Sequence, residues 1–236
     1  MLTLLTLLAL LVASVGGLSV STSRPLESSL LQKINIGAPD AQIAELVREL
    51  EAANENAEPA LSPLIEGAWR LVHTSKSDFD PRNPLGRRAD GSSPGLEGFF
   101  AKITSGDGDA ANRPSSSPIQ RAVTSAFTVT QSIRNLGGGG RVEQTVTTPA
   151  GELNLNAAAR VDRAAPRRVS FAFDEGYFEF KQAGLPRLPY PVPFRLLGKE
   201  AEGWLDTSYL SEAMRISTGN KGTVFVLVRA TDEPVS

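Results

Sequence analysis

The sequence predicts a mainly β fold: an antiparallel up-and-down meander of roughly eight or nine strands, closed into a small barrel and preceded by one helix. Two observations carry this. From Leu64 onward apolar residues recur with a period of two, which places them on one face of each strand. Tight turns rich in Gly, Pro and Asn separate most of the runs, so neighbours in sequence pair as hairpins. Closing such a meander removes its exposed edges and leaves an interior that can hold one small ligand. At 236 residues the chain has room for one domain of about 150–180 residues, plus leader and linker.

The elements follow in order. Leu2 to Val15 is almost wholly apolar and is followed by Gly16 and Gly17. It has the length of a signal-peptide core and falls short of the roughly 20 residues of a membrane-spanning helix. Residues 1–17 are therefore expected to be a signal peptide. Residues 18–36 start with a hydroxyl-rich, acid-free stretch (LSVSTSRP) and are expected to be a transit-like segment and linker. Together they form a bipartite plastid address; a plain secretory signal with a polar stub would show the same residues. Within 37–57, Ile43, Leu46, Val47 and Leu50 share one helical face, with acids and Arg48 opposite. Pro39 suits the first helical position. The acidic polar face argues for a helix packed on the barrel rather than a membrane anchor.

The barrel domain is expected over 61–236. Trp69 to Thr74 is its first strand. Residues 76–120 hold five of the 16 prolines and read as one long loop, of the kind that carries function or is disordered. Ala126 to Arg134 and Arg141 to Thr148 alternate around the Gly137–Gly140 turn, and Pro149 to Gly151 turns the chain again. Leu153 to Val161 is one long strand. Val169, Phe171 and Phe173 form the next, Asp174 to Gly176 is read as a turn, and Phe178 and Phe180 continue beyond it. A Pro-rich segment, 186–193, precedes strands at Trp204 to Tyr209, Ala213 to Ser217 and Thr223 to Arg229, the last two joined by the turn Gly219 to Gly222.

Composition excludes several function classes. The formal net charge of −2 offers no basic footprint, so nucleic acid is not an expected partner. No cysteine is present, which removes thiolate metal sites, iron–sulfur clusters and cysteine nucleophiles. The single histidine, His73, rules out multi-histidine metal sites and leaves one candidate general base. The Gly137–Gly140 and Gly219–Gly222 runs join strands rather than opening helices, so they are hairpins and not phosphate loops. No metal, cofactor or catalytic residue is expected.

Three segments carry a family resemblance. Leu64 to Ser75 (LIEGAWRLVHTS) resembles the opening LxGxWxLxYTS motif of the plastid lipid-associated proteins, or fibrillins. Ile43 to Asn54 is similar to the helix that precedes that motif. Tyr209 to Leu227 (YLSEAMRISTGNKGTVFVL) resembles the family's ending, YLDEDLRISRGNKGNLFVL. His73, Ser211 and Thr218 depart from the usual Tyr, Asp and Arg. The likeness runs from about Leu30 to Arg229. It implies a lipocalin-like barrel without enzymatic activity, found in plastoglobules, thylakoids or stroma and associated with carotenoids, quinones and other prenyl lipids.

On this reading the partners are lipophilic small molecules or a lipid-particle surface, met peripherally and not by a transmembrane span. Gly67-Ala-Trp69 has the lipocalin Gly-x-Trp form, in which the indole closes the base and a later arginine packs on its face. Arg215 and Arg229 are the candidates. Phe127, Phe171, Phe173, Phe178 and Phe180, with Trp69, are either filled core or the lining of a cavity suited to an isoprenoid tail. A second function class is an adaptor whose loop at 78–118 docks a plastid lipid-metabolism enzyme. A third, a lipocalin-fold enzyme, needs His73, Glu179 and Asp206 to converge.

Overall fold

Alternation with a period of two becomes, in the computed structural model, nine antiparallel strands among the described residues. These residues are 23–75, 127–182, 184–190, 194, 201–220 and 222–230. The strands are β1 (Gly67–Thr74), β2 (Thr128–Arg134), β3 (Gly140–Thr148), β4 (Gly151–Val161), β5 (Arg168–Phe180), β6 (Leu188–Pro189), β7 (Glu202–Leu210), β8 (Met214–Gly219) and β9 (Val224–Arg229). Eight of them pair in chain order, β9 returns to β1, and the ring closes. The two-residue β6 lies on β5 outside this circuit. A mainly β, closed antiparallel sheet is thus observed. Residues 1–17, expected to be a signal peptide, and 76–120, expected to be a long loop, lie outside the described residues.

Three bulges decide which side chains face inward. Opposite β4, Ala157 pairs with Phe173 while Asn156 pairs with Glu175, so Asp174 is the extra residue. An extra residue flips the parity of a strand. Phe171 and Phe173 precede the flip, Phe178 and Phe180 follow it, and all four pack with the interior clusters. The turn expected at Asp174 to Gly176 is therefore corrected to a bulge within one continuous strand. The second bulge, at Ser208 on β7, keeps Thr207 and Leu210 inside and turns Tyr209 out. The third, at Val72 on β1, pairs His73 with outward-facing Val226, so His73 shares the outer side with Val72.

Two helices cover that outer face. The segment expected to be a transit-like stretch and linker contains helix α1 (Ser23–Asn35), a correction to the linker reading. Leu26, Leu30, Leu31 and Ile34 do fall at helical spacing and join the outer cluster, but the hydroxyl-rich start of the segment also fits a leader. Helix α2 (Asp40–Ala52) follows, with Pro39 at its N-cap rather than inside it. Leu30, Ile43, Val47 and Leu50 bury against Tyr209, Met214, Ile216 and Val226. Strand β8 is consequently buried on both faces: Met214 and Ile216 look to the helices, Arg215 and Ser217 to the interior.

Polar contacts fix the helices in place. Glu27 is only 8% exposed and accepts from Tyr209 Oη at 2.7 Å and Ser211 Oγ at 2.6 Å. Burial pushes the Tyr209 phenol up to about 12, so it remains a donor. The bulged Ser208 donates to Glu51 at 2.6 Å, and its carbonyl accepts from Asn54 Nδ2 at 2.9 Å. Glu27→Ala removes the buried acceptor shared by the Tyr209 and Ser211 hydroxyls and is expected to loosen α1 by about 1.5–3 kcal/mol. Faster amide exchange confined to Ser23–Asn35 checks this; unchanged exchange there contradicts it.

Candidate functional site

One layer of the interior runs in register around the ring: Gly176 on β5, Leu155 on β4, Gln144 on β3, Gln131 on β2, Trp69 on β1 and Arg229 on β9. Trp69 is 0% exposed, and its Nε1 donates to the Ile65 carbonyl at 2.8 Å. The guanidinium of Arg229 lies over the indole, 3.8 Å from the ring centroid, and that of Arg215 lies 5.3 Å away. Arg229 also donates to the carbonyls of Leu64 (2.7 Å), Glu66 (2.7 Å) and Glu212 (3.1 Å). It thereby ties the short helical turn Pro63–Ile65 to the end of the sheet. Gly67 is needed beside it: its φ is +113°, and a Cβ there would come within 2.6 Å of Arg229 Nη1.

Arg215 is placed differently. It is 1% exposed, and its register partners on both sides, Leu210 and Leu227, are apolar. Nη2 donates to Gln131 Oε1. Desolvation, reinforced by the neighbouring charge of Arg229, pulls its pKa down to about 9, so it is still cationic at neutral pH. Its Nε and the Nε2 of Gln144 are buried without a hydrogen-bond partner. Buried Thr207 and Ser217 bond each other at 3.1 Å.

The aromatic candidates pack against one another. Phe171 and Phe173 meet edge to face at 5.4 Å, Phe178 and Phe180 at 5.0 Å, and Phe173 lies 5.9 Å from Phe194. Phe194 stacks on Tyr190 at 5.1 Å, and Phe127 packs on the same cluster. A groove of about 520 Å³ borders β4, β5 and β7, with Trp204 and exposed Arg160 and Glu202 on its wall. Of the six aromatic candidates only Phe171 reaches it.

The three polar recruits for catalysis do not meet. Asp206 is held by Arg168 through two bonds of 2.7 Å. Glu179 faces Arg187 at 3.4 Å. His73 pairs in register with Val226, on the helix-covered side, where Asp40 is the charge it feels. Burial lowers the His73 pKa below 6.5, against the opposing pull of Asp40. The unfolded chain then takes up this proton first as pH falls. Stability from neutral His73 is complete above about pH 6.5 and is lost as pH drops through the folded value. His73→Gln is expected to flatten that part of the profile, read as urea midpoints at about pH 7.5 and 5.5; an unchanged slope counts against it. Among the described residues no cluster of three His, Asp or Glu could hold a metal.

The chain matches the PAP_fibrillin family over residues 33–88 and 114–228. It belongs to that family. The match skips residues 89–113. Among fibrillin-family relatives, the probable plastid-lipid-associated protein 12, chloroplastic, of Arabidopsis thaliana is 38% identical over 197 residues, covering 80% of this chain and 38% of that protein. The chromoplast-specific carotenoid-associated protein C1 of an Oncidium hybrid cultivar is 25% identical, covering 80% of this chain and 61% of the relative. Plastoglobulin-1, chloroplastic, of Pisum sativum is 26% identical over 80% and 54% respectively. The chain thus spans less than two thirds of each.

Sequence reasoning missed two interior residues of this fibrillin-family chain, and the signal was present. Gln131 stands between Val129 and Ile133, and Gln144 between Val142 and Val146, each at the core parity of its strand. A polar residue in an apolar row is the informative exception.

Proposed function

We propose that this chain is a non-catalytic, lipid-associated plastid protein that binds or coats prenyl lipids, carotenoids and quinones among them, peripherally at a plastoglobule or thylakoid. The observation that carries the reading is the family match over 33–88 and 114–228. The names of its relatives, carotenoid-associated and plastoglobulin, support the ligand class and the place. A closed sheet with Leu, Val and Phe inside suits an oily ligand. The separation of His73, Glu179 and Asp206 supports the absence of catalysis, and among the described residues no helix is long and apolar enough to cross a membrane. Import by a signal peptide over 1–17 and a transit-like segment from residue 18 belongs to the same proposal. A final cleavage upstream of α1 would leave that helix, folded onto the sheet from Ser23, in the mature protein.

Native purification followed by mass spectrometry of extracted lipids tests the reading. Carotenoids or prenylquinones should co-purify, and the protein should float with lipid particles. A protein free of lipid that takes up none from a plastid lipid extract would overturn it.

A further inference from the structure

We propose that the interior of the ring recognises an anion, with Arg215 and the adjacent Gln144 binding the carboxylate of a long-chain lipophilic acid. The inference rests on the lipid-associated reading and names a ligand class for it.

Buried charges in proteins are ordinarily paired, because an isolated ion loses its hydration without compensation. Arg215 breaks that rule. Among the described residues no carboxylate lies within 4.0 Å of it, and the nearby charge is a second cation, Arg229. Its one hydrogen bond goes to a neutral amide, Gln131. Leu210 and Leu227 flank it in register and the Trp69 ring lies alongside. This is a cation in oil.

Two donors point to what is missing. Arg215 Nε and Gln144 Nε2 are both buried and both unpartnered. They belong to one neighbourhood: Gln144 is the register partner of Gln131, and Gln131 is bonded to Arg215. An unsatisfied buried donor calls for an acceptor, and two beside a net positive charge call for an anionic one. A carboxylate has the lone pairs for both donors. A neutral ester or hydrocarbon would leave the charge uncompensated. The tail of the acid would run along Leu71 and Phe173, which pack with both interior clusters. Each donor atom exposes less than 1 Å², so the head group enters by displacing apolar side chains rather than by filling a ready hole.

The test titrates the delipidated full chain, by calorimetry below micellar concentration, with oleate and with methyl oleate. Oleate is expected to bind at least about tenfold more tightly than its ester. Arg215→Met and Gln144→Leu should each erase that preference while leaving ester binding in place. In parallel, the carbon-13 resonance of carboxyl-labelled oleate should titrate at lower pH when bound to the parent chain than when bound to either variant. If acid and ester bind alike, or both variants keep the preference, the anion site is wrong while the lipid-associated reading stands. If neither probe binds, the anion site falls, and a blank lipid extract would then take the broader reading with it. Should Arg215→Met fail to fold, Gln144→Leu decides the question.

Discussion

Trp69→Ala is expected to lower the unfolding free energy by about 3–5 kcal/mol, the usual cost of deleting a buried tryptophan from a core. Three losses combine. The cavity opens in a layer where the indole is fully covered. The Ile65 carbonyl loses its donor at 2.8 Å. The Arg229 guanidinium loses the aromatic face it covers at 3.8 Å, a contact of roughly 0.5–2 kcal/mol. For a domain stable by about 5–15 kcal/mol this is a large fraction. Urea denaturation of parent and variant checks it, with the m-value monitored to confirm that both unfold from a closed sheet. A loss below about 1 kcal/mol would show that the indole does not hold the base of the ring.

Gly151→Ala should be comparably damaging although it adds one methyl group. Gly151 begins β4 with φ at +156°, and a Cβ there would stand 2.1 Å from the Glu179 carbonyl and 2.9 Å from the Phe178 ring. The carbonyl belongs to the backbone of the paired strand and cannot rotate away. Strain and overpacking each cost about 1–3 kcal/mol, so a loss of about 2–4 kcal/mol is expected, localised to the β4–β5 pairing that closes the ring. Gly138→Ala is the control, since nothing lies within 4 Å of a Cβ there. Equal denaturation midpoints for the two variants would contradict the steric account.

Much of this was legible before any coordinates. The strands at 67–74, 140–148 and 224–229 follow from alternation and turns, because a period of two has one structural meaning when one face is buried. Gly67 and Trp69 could be singled out because they form a Gly-x-Trp pair in a chain with only two tryptophans, and the two arginines because they lie on the late strands that could reach the indole. Helix α1 was hidden by its hydroxyl-rich start, which reads equally as a leader. The Asp174 bulge was hidden because Asp-Glu-Gly is also turn chemistry, and only pairing with β4 selects between them.

Alternating strands that must hide one oily face, and the marks of a lipid-associated family, can be read from the residues alone. Which residues face which way depends on the folded pairing. Three inserted residues reverse parity along β1, β5 and β7, and two helices cover the side of β8 that carries Met214 and Ile216, which leaves Arg215 on the interior side. Parity is a local property, but its direction is set by which neighbour a strand pairs with and what covers it, and both are long-range.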